Sequence, residues 1–406
     1  MKNLSILYIG IKDRLNLIST EVSECLLKLF STYGTLHLLG DLFEETSYRE
    51  DKLYNLVVVQ NSYSFIRYKD CIKRLRKSPV LFVSIGNQIE SYVTSFENLF
   101  GVLNIGNISL SALGIPGEMQ LCLNYPVEEV ANWYFYEHNP KVYRIAYCPT
   151  GNSIQENDLK LISFVQRTNA FLTIVSDSYQ GFADIYPSSV RVVSEKNRLS
   201  VFKKSHLVVA SGQNVVRALA VCKPCVVLGD RGLGGLVTPA NFEQLRSVSF
   251  SGRKGGYLGE FVPMDLLDAE IRNVFSSDSK DVIYTLCKKI LALYDMDSFS
   301  IGLANEVDRI IALSTLLKSR KRRFDLKPFR SSIFQTEELE GETYIMRGLQ
   351  CLGKIDDEMV RLLKQCDGTM TLSNLIRYNG YNLEDATILW ENMYALWKEK
   401  LILFAL

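Results

Sequence analysis

The sequence predicts an α/β protein in which two doubly wound parallel sheets are followed by a small winged-helix domain. Through residues 1–317, short apolar runs alternate with amphipathic stretches of helical period, which indicates parallel strands joined by helices. The clearest unit is Ser205–Gly235, where a strand, a helix ending at Lys223-Pro224, a second strand and a glycine-rich loop follow one another. After residue 330 the pattern changes to a strand pair and three short helices.

The composition excludes several classes of protein. The chain is 47% hydrophobic with a formal net charge of +1, so its overall charge gives no argument for binding nucleic acid or an anionic membrane. Nine irregularly spaced cysteines are typical of a reducing cytoplasm and not of a disulfide framework. MKNLSILYIG is interpreted as a first strand and not as a signal peptide, and no apolar run approaches the roughly 20 residues that span a bilayer.

The first predicted domain covers residues 1–139. Its expected strands are Ile6–Ile9, Leu36–Leu39, Leu56–Val59 and Val80–Ile85. Its expected helices are one starting at Ser19 or Thr20, a basic amphipathic helix Phe65–Lys77, and Glu128–Tyr136. Asn104–Gly117 is interpreted as a loop, and Asn139-Pro140 as a hinge.

The second predicted domain covers residues 140–317. Its expected strands are Tyr143–Cys148, Phe171–Val175, Arg191–Val193, Leu207–Ala210 and Cys225–Leu228. Its expected helices include Glu156–Arg167, Asp281–Tyr294 and Asn305–Leu317. A basic linker, residues 318–330, then leads to the C-terminal domain, residues 331–406. Such a charge run is either a solvated connector or a phosphate- or partner-binding segment.

Polar and glycine-rich loops follow the strands of the second domain. In parallel sheets, ligands bind beyond the carboxyl ends of the strands. Those ends carry Ser211–Asn214 and Asp230–Gly235, and Ser251–Gly256 adds a small cationic loop. Backbone N–H groups and a helix N-terminus favour an anion site there, although the glycines also fit tight turns that need positive φ.

Residues 205–262 resemble the donor-side half of GT-B glycosyltransferases, through VVASGQNVVRALAVCKPCVVLGDRGLGGLVTPANF and FSGRKGG. The resemblance implies two Rossmann-like halves, a nucleotide-sugar donor between them, an acceptor on the first half and no tightly bound cofactor. One departure concerns Arg217, which stands where such enzymes often carry a glutamate that holds the donor ribose. A guanidinium only donates hydrogen bonds, so Arg217 would instead pair with phosphate or carboxylate. The donor-binding residues implied are Gly151, Asn152, Ser211, Gly212, Gln213, Asn214, Arg217, Asp230, Arg231, Gly232, Gly234, Gly235, Arg253 and Lys254.

The catalytic residues are not fixed by the sequence. An inverting GT-B enzyme uses a general base on its first half, whereas a retaining enzyme can need none. Candidates at strand ends and at the hinge are Asp13, Asp41, Glu90 and His138, each of which also fits a solvated loop. His37 is assigned to the core, and His206 to a structural role or a general base. The pair Cys222 and Cys225 is assigned to packing, because a metal site usually needs a second pair; no metal is expected.

The C-terminal stretch LGKIDDEMVRLLKQCDGTMTLSNLI is similar to the PqqD-like family, with Cys366-Asp367-Gly368-Thr369 in the family's position. The family binds the leader of a ribosomally made precursor peptide by β-augmentation. The expected edge strand is Thr343–Leu349 with helix Leu383–Lys398 beside it. A helix-turn-helix DNA binder is the alternative, which the acidic C-terminal helices disfavour. The implied peptide-binding residues are Thr343, Tyr344, Ile345, Met346, Arg347, Leu389 and Met393.

Together these patterns predict a cytoplasmic, glycosyltransferase-like tailoring enzyme that acts on a ribosomally synthesised precursor peptide. Its expected partners are the leader peptide and other tailoring enzymes; neither nucleic acid nor a membrane span is expected. Two alternatives remain open. The chain is a catalytically degenerate GT-B scaffold that delivers the leader to partner enzymes, or a GT-B enzyme with a glycan acceptor.

Overall fold

The computed structural model describes residues 4–10, 17–40, 47–85, 93, 96–105, 115–127, 141–150, 155–181, 186–276, 280–347 and 350–406. The chain divides into two compact units. The first unit joins Met1–Leu123 with Ser300–Leu406, and the second is Asn124–Phe299. No helix in the ranges described is both long and apolar enough to cross a bilayer.

The first unit contains a six-stranded parallel sheet of order β2-β1-β3-β4-β5-β6 among its described residues. The sequence predicts only the first four strands. β5 and β6 flank a stretch interpreted as a loop, and residues 106–114 within it lie outside the described ranges. The strands are β1 (Leu4–Ile9), β2 (Gly34–Leu39), β3 (Leu56–Gln60), β4 (Val80–Ile85), β5 (Leu99–Ile105) and β6 (Gln120–Leu123).

The α-helices described among residues 1–123 are α1 (Leu17–Tyr33), α2 (Ser62–Arg67) and α3 (Lys69–Arg74). The single helix predicted over residues 65–77 is therefore wrong in extent. It starts earlier and is interrupted at Tyr68, which caps the end of α2 and the start of α3. The interruption is slight, because the Tyr68 N–H still donates to the Ser64 carbonyl at 3.0 Å. The predicted helix Glu128–Tyr136 lies outside the described residues.

The second unit contains a six-stranded sheet of order β12-β11-β10-β7-β8-β9. Five strands are parallel, and β12 runs antiparallel to β11. The strands are β7 (Tyr143–Tyr147), β8 (Ala170–Val175), β9 (Val190–Val193), β10 (Leu207–Ala210), β11 (Cys225–Gly229) and β12 (Gly232–Leu236). Two Rossmann-like sheets confirm the predicted fold class. The interpretation of Gly232–Leu236 as a loop is wrong, since this segment is β12.

Seven helices are described in or from this unit: α4 (Glu156–Arg167), α5 (Arg198–Lys204), α6 (Gln213–Ala220), α7 (Phe242–Ser247), α8 (Met264–Ser276), α9 (Lys280–Leu293) and α10 (Met296–Lys318). The division between the two units falls within α10. α6 is strongly amphipathic. Val215, Ala218 and Leu219 are fully buried on it against β10 and β11, which fixes the N-terminus of α6 at the carboxyl end of β10.

The described C-terminal residues form two small antiparallel sheets and three α-helices. β13 (Lys327–Arg330) pairs with β17 (Ile402–Ala405), so part of the predicted linker is a strand. The second sheet is a meander of β14 (Gln335–Leu339), β15 (Glu342–Arg347) and β16 (Gln350–Ile355). The helices are α11 (Asp357–Gln365), α12 (Leu372–Tyr378) and α13 (Leu383–Lys398).

The order β14-β15-β16 corrects one expectation. Residues 343–349 are predicted to form an edge strand, but β15 pairs with β14 on one side and β16 on the other. Its backbone groups are therefore engaged on both sides. The edges of this sheet, in the described part of the chain, are β14 and β16. The error arose because β16, with Gly353 and Lys354 in its sequence, lacks a strand's apolar alternation.

The C-terminal helices and strands are anchored to the first sheet. Trp397 of α13 packs edge-on against Phe100 of β5, with ring centroids 5.2 Å apart. The buried Lys400 donates from Nζ to the Glu97 carbonyl at 3.2 Å. Leu403 of β17 belongs to the hydrophobic core of the first sheet. The C-terminal module, from β13 through β17, is thus part of the first unit and is not loosely tethered to it.

Candidate functional site

The loop between β10 and α6 forms the centre of the predicted anion site. β10 is buried along its length, and Ser211-Gly212 turns the chain into α6. Gly212 has φ 58° and ψ −136°, a conformation that L side chains rarely adopt. A Cβ atom on Gly212 would meet no atom within 4 Å. The glycine is required by the backbone conformation, and the space beside it is open.

Three of the predicted loops meet at this edge of the sheet. The Gly212 N–H donates to the Phe250 carbonyl at 3.0 Å, and the Arg231 N–H donates to the Ser251 carbonyl at 2.9 Å. A Cβ on Gly229 would lie 2.9 Å from the Cβ of Ser211. The structure therefore brings together the loops 211–214, 230–232 and 251–254. Gly151 and Asn152 lie outside the described residues.

The strand order marks this edge as a ligand position. From β7 the chain builds β8 and β9 on one side, then returns to place β10 and β11 on the other side of β7. Adjacent loops that leave in opposite directions open a crevice at such a switch point. β7 and β10 are neighbours, with Tyr147 opposite Val209. The switch point therefore lies between the loops that follow β7 and β10.

Asn214, in the first turn of α6, carries an unsatisfied group at the N-terminal end of this helix. Its Oδ1 atom is buried and has no hydrogen-bond partner among the described residues. A buried acceptor without a partner costs about 1–3 kcal/mol. Such a group beside a helix N-terminus is suited to a ligand that offers a hydroxyl or N–H.

The predicted cations differ in their surroundings. Arg253 is exposed, and its Nε donates to Oε1 of Glu260 at 2.7 Å; this bond raises the pKa of Arg253. Lys254 and Asp230 are exposed, whereas Arg231 is half-buried. Arg217 is half-buried in the last turn of α6, away from the helix N-terminus. An anion at Arg253 would thus compete with Glu260, whereas Lys254 is exposed to solvent.

The glycines of β12 are explained by packing. A Cβ on Gly234 would lie 2.8 Å from the Gly252 carbonyl oxygen and 2.8 Å from Leu245 Cδ2. Cβ atoms on Gly232 and Gly235 would lie 3.1 and 3.2 Å from Glu260 and Glu270 carboxylate oxygens. Close contacts account for Gly234, and a φ of 79° at both Gly232 and Gly235 accounts for the other two, so none of the three glycines needs a ligand to explain it.

Asp158, a buried carboxylate that the sequence analysis did not single out, holds together the carboxyl edge of the same sheet. Asp158 accepts from the hydroxyl of Tyr147 at 2.5 Å, from that of Tyr179 at 2.6 Å, and from the Gln155 N–H at 2.6 Å. Burial, and then Asp158, raises the pKa of both tyrosines. The network joins α4 to the carboxyl ends of β7 and β8. The spacing of Gln155 and Asp158 is that of a capping box, which was the available sequence signal.

The catalytic candidates Asp13, Asp41, Glu90 and His138 lie outside the described residues. His206 has a structural partner, because its Nδ1 accepts the Arg144 N–H at 2.8 Å.

Both Cys222 and Cys225 are fully buried in hydrophobic clusters. Within the described ranges, no group of three His, Cys, Asp or Glu side chains is placed to hold a metal ion.

A second candidate site is a cavity of about 260 Å³ between α11 and α13. Its apolar lining includes Leu389, one of the predicted peptide-binding residues. Met393, Ile345 and Met346 are buried and do not line it, and the side chain of Arg347 lies outside the described residues. The sequence analysis missed most of this lining. The cavity is lined by Asp356, Glu358, Met359, Leu362, Tyr381, Asp385, Ile388, Leu389 and Asn392.

The rim of this cavity is acidic and internally hydrogen-bonded. Asp356 caps α11 by accepting the Met359 N–H at 2.7 Å. The Tyr381 hydroxyl donates to Glu358 Oε1 at 2.9 Å, and burial followed by this bond raises the pKa of Tyr381. Ile388 is 52% exposed at the mouth. An apolar floor under carboxylates fits an apolar side chain with basic neighbours.

No family model and no curated protein matches this sequence. Solved structures do match its fold. Anabaena Alr3699/HepE in complex with UDP-glucose has a TM-score of 0.54 at 12% identity, covering 75% of this chain and all of that one. A glycosyltransferase from Rickettsia africae has a TM-score of 0.53 at 10% identity, covering 77% and 99%. The chain has the GT-B glycosyltransferase fold.

The likeness to these GT-B proteins concerns the fold alone. The lipopolysaccharide outer core galactosyltransferase WaaB matches with a TM-score of 0.50 at 12% identity, covering 76% of this chain and 99% of that one. About a quarter of this chain lies outside each match.

Proposed function

We propose that the protein is a GT-B glycosyltransferase that modifies a ribosomally synthesised peptide and captures its leader with a PqqD-like C-terminal module. The observation that carries the proposal is the acidic-rimmed cavity between α11 and α13, next to the open edge of β16. Asp356, on the cavity wall, directly follows the last residue of β16. A peptide added along β16 would place a side chain in this cavity.

The proposed donor is a nucleotide sugar at the β7–β10 crevice of the second unit. The N-terminus of α6 offers backbone N–H groups to phosphate, and Lys254 offers a positive charge. Asn214 Oδ1 would accept a hydroxyl or N–H of the nucleotide or sugar. Support comes from Alr3699/HepE, a protein of the same fold that was solved with UDP-glucose.

The anchoring of the C-terminal module has a consequence for the acceptor. Trp397 and Lys400 fix the module on the first sheet, so a bound leader would hold the rest of the peptide near the first unit. Such attachment raises the effective concentration of the acceptor residue without any new contact. A weak direct fit of the acceptor is then sufficient.

Peptide capture is tested by fluorescence anisotropy with labelled leader peptides from any precursor genes found beside this gene. Ile388→Glu places a charge at the mouth of the cavity and should weaken binding about tenfold or more. Tyr378→Glu is the matched control, since Tyr378 is 74% exposed on α12 and does not line the cavity. Equal binding by wild-type protein and Ile388→Glu would contradict the proposal.

The second candidate function is a leader-delivering scaffold without activity. Arg217 favours it, because its guanidinium cannot accept the hydrogen bonds of a ribose. Calorimetric titration with UDP and UDP-glucose separates the two functions. Saturable binding that Lys254→Ala weakens supports the enzyme. No nucleotide binding, with leader binding intact, supports the scaffold.

A further inference from the structure

The surface of α2 and α3 on the first unit carries a dense run of positive charge. Residues 67–77 contain six basic side chains and a single acid, Asp70, in a chain whose net charge is only +1. All six basic side chains are exposed, as is Asp70. The basic residues are Arg67, Lys69, Lys73, Arg74, Arg76 and Lys77. Neither the donor crevice nor the peptide cavity uses this surface.

Large apolar side chains lie exposed beside these charges. Tyr63 is 58% exposed and Ile66 49% exposed on α2, while Phe65 is fully buried. Tyr63, Ile66 and Arg67 recur at intervals of three and four, which places them on one side of the helix. Leu53, 62% exposed, precedes Tyr54, whose N–H donates to Ser78 Oγ just after the basic run.

Among the residues that the structure describes, few acidic groups face this surface. Glu50, from the neighbouring loop, pairs with Arg74, and both side chains are more than half exposed. Asp70 lies in the first turn of α3, where a carboxylate complements the helix dipole. Asp51, exposed two residues before Leu53, is a third acid at this surface among the described residues. The six basic groups outnumber these three acids, and the surface is positive.

We propose that the α2–α3 surface binds an anionic lipid bilayer, with Tyr63 and Ile66 entering the headgroup region and the lysines and arginines contacting lipid phosphates. Aromatic and aliphatic side chains flanked by lysine and arginine are the chemistry of a membrane-surface helix. Charge alone would also fit a nucleic acid. The exposed Tyr63, Ile66 and Leu53 favour a surface with an apolar interior. The proposal goes beyond the proposed function and does not depend on it.

The test is co-sedimentation of the full chain with vesicles of phosphatidylcholine alone and of phosphatidylcholine with about one-third phosphatidylglycerol. Binding is expected only to the anionic vesicles and should fall with salt. Lys73→Glu with Lys77→Glu should lower partitioning about tenfold or more, since each basic group near the surface contributes about fivefold. Tyr63→Ser with Ile66→Ser should also weaken it several-fold, by removing apolar insertion.

The matched control is Arg320→Glu with Lys321→Glu, which reverses two exposed charges in another basic run, residues 318–323. This control should bind as wild type does. No binding of wild-type protein to anionic vesicles overturns the proposal. Equal loss of vesicle binding in the control variant also overturns it. So does vesicle binding that is unchanged by Tyr63→Ser with Ile66→Ser and is equalled by binding to a DNA duplex. Either result indicates a surface that binds polyanions in general.

Discussion

Replacing Asn214 should raise the stability of the unliganded protein and weaken its binding of the donor. Its Oδ1 is buried without a partner among the described residues, at the N-terminus of α6. Asn214→Ala removes this acceptor and substitutes a better helix former. The unliganded variant should be about 1 kcal/mol more stable than wild type, since the cost of an unsatisfied acceptor is about 1–3 kcal/mol.

A bound donor should reverse this order. Ligand at about a hundred times its Kd stabilises the folded protein by about 2.7 kcal/mol. Loss of one hydrogen bond to the ligand weakens binding about tenfold, which leaves the variant about 1.4 kcal/mol of stabilisation. Wild type should therefore gain about 1.3 kcal/mol more than Asn214→Ala from the same donor concentration.

Chemical denaturation with and without UDP-glucose measures both quantities. Asn241→Ala is the matched control, because Asn241 Oδ1 accepts the Thr238 N–H at 2.8 Å and its Nδ2 donates to the Leu236 carbonyl at 2.9 Å. This control should lose about 1 kcal/mol and keep its ligand response. Destabilisation by Asn214→Ala with an unchanged ligand response would refute the reasoning.

Three further predictions concern stability, each measured by denaturation. Burial lowers the pKa of Lys223 from 10.5 to about 8. At this site the unfolded chain then binds the extra proton between these pH values, so the stability of wild type relative to Lys223→Met should rise with pH there by about 3 kcal/mol. Trp397→Ala should cost about 3–5 kcal/mol and expose the C-terminal module to proteolysis; unchanged protease resistance would argue against its anchoring role. Asp158→Ala should cost about 3 kcal/mol or more, and Tyr179→Phe much less.

The sequence predicts the elements that are strongly periodic. β10, α6 and β11 appear as predicted, because apolar runs and the Lys223-Pro224 stop leave little choice. Asp356 and Thr371 cap α11 and α12 with their own side chains. These features depend on local residues, which is why a single sequence suffices.

The remaining features depend on distant contacts. β12 is a strand because its glycines let the backbone approach Gly252 and Leu245, and turn propensity gave the opposite prediction. β15 is the central strand of its sheet because β16 pairs with the side that β14 leaves free. The acidic cavity needs α11 and α13 to meet, which no local pattern encodes. The unsatisfied state of Asn214 Oδ1 is likewise visible only in the folded chain.

The central claim is that a GT-B transferase modifies a peptide captured by its C-terminal module. Its most direct test is intact mass measurement of the precursor peptide after incubation with the protein and a panel of nucleotide sugars. The account predicts addition of one sugar residue that depends on the leader and is strongly reduced by Ile388→Glu but not by Tyr378→Glu. An unchanged mass with every donor, or modification that is indifferent to the leader, would contradict it.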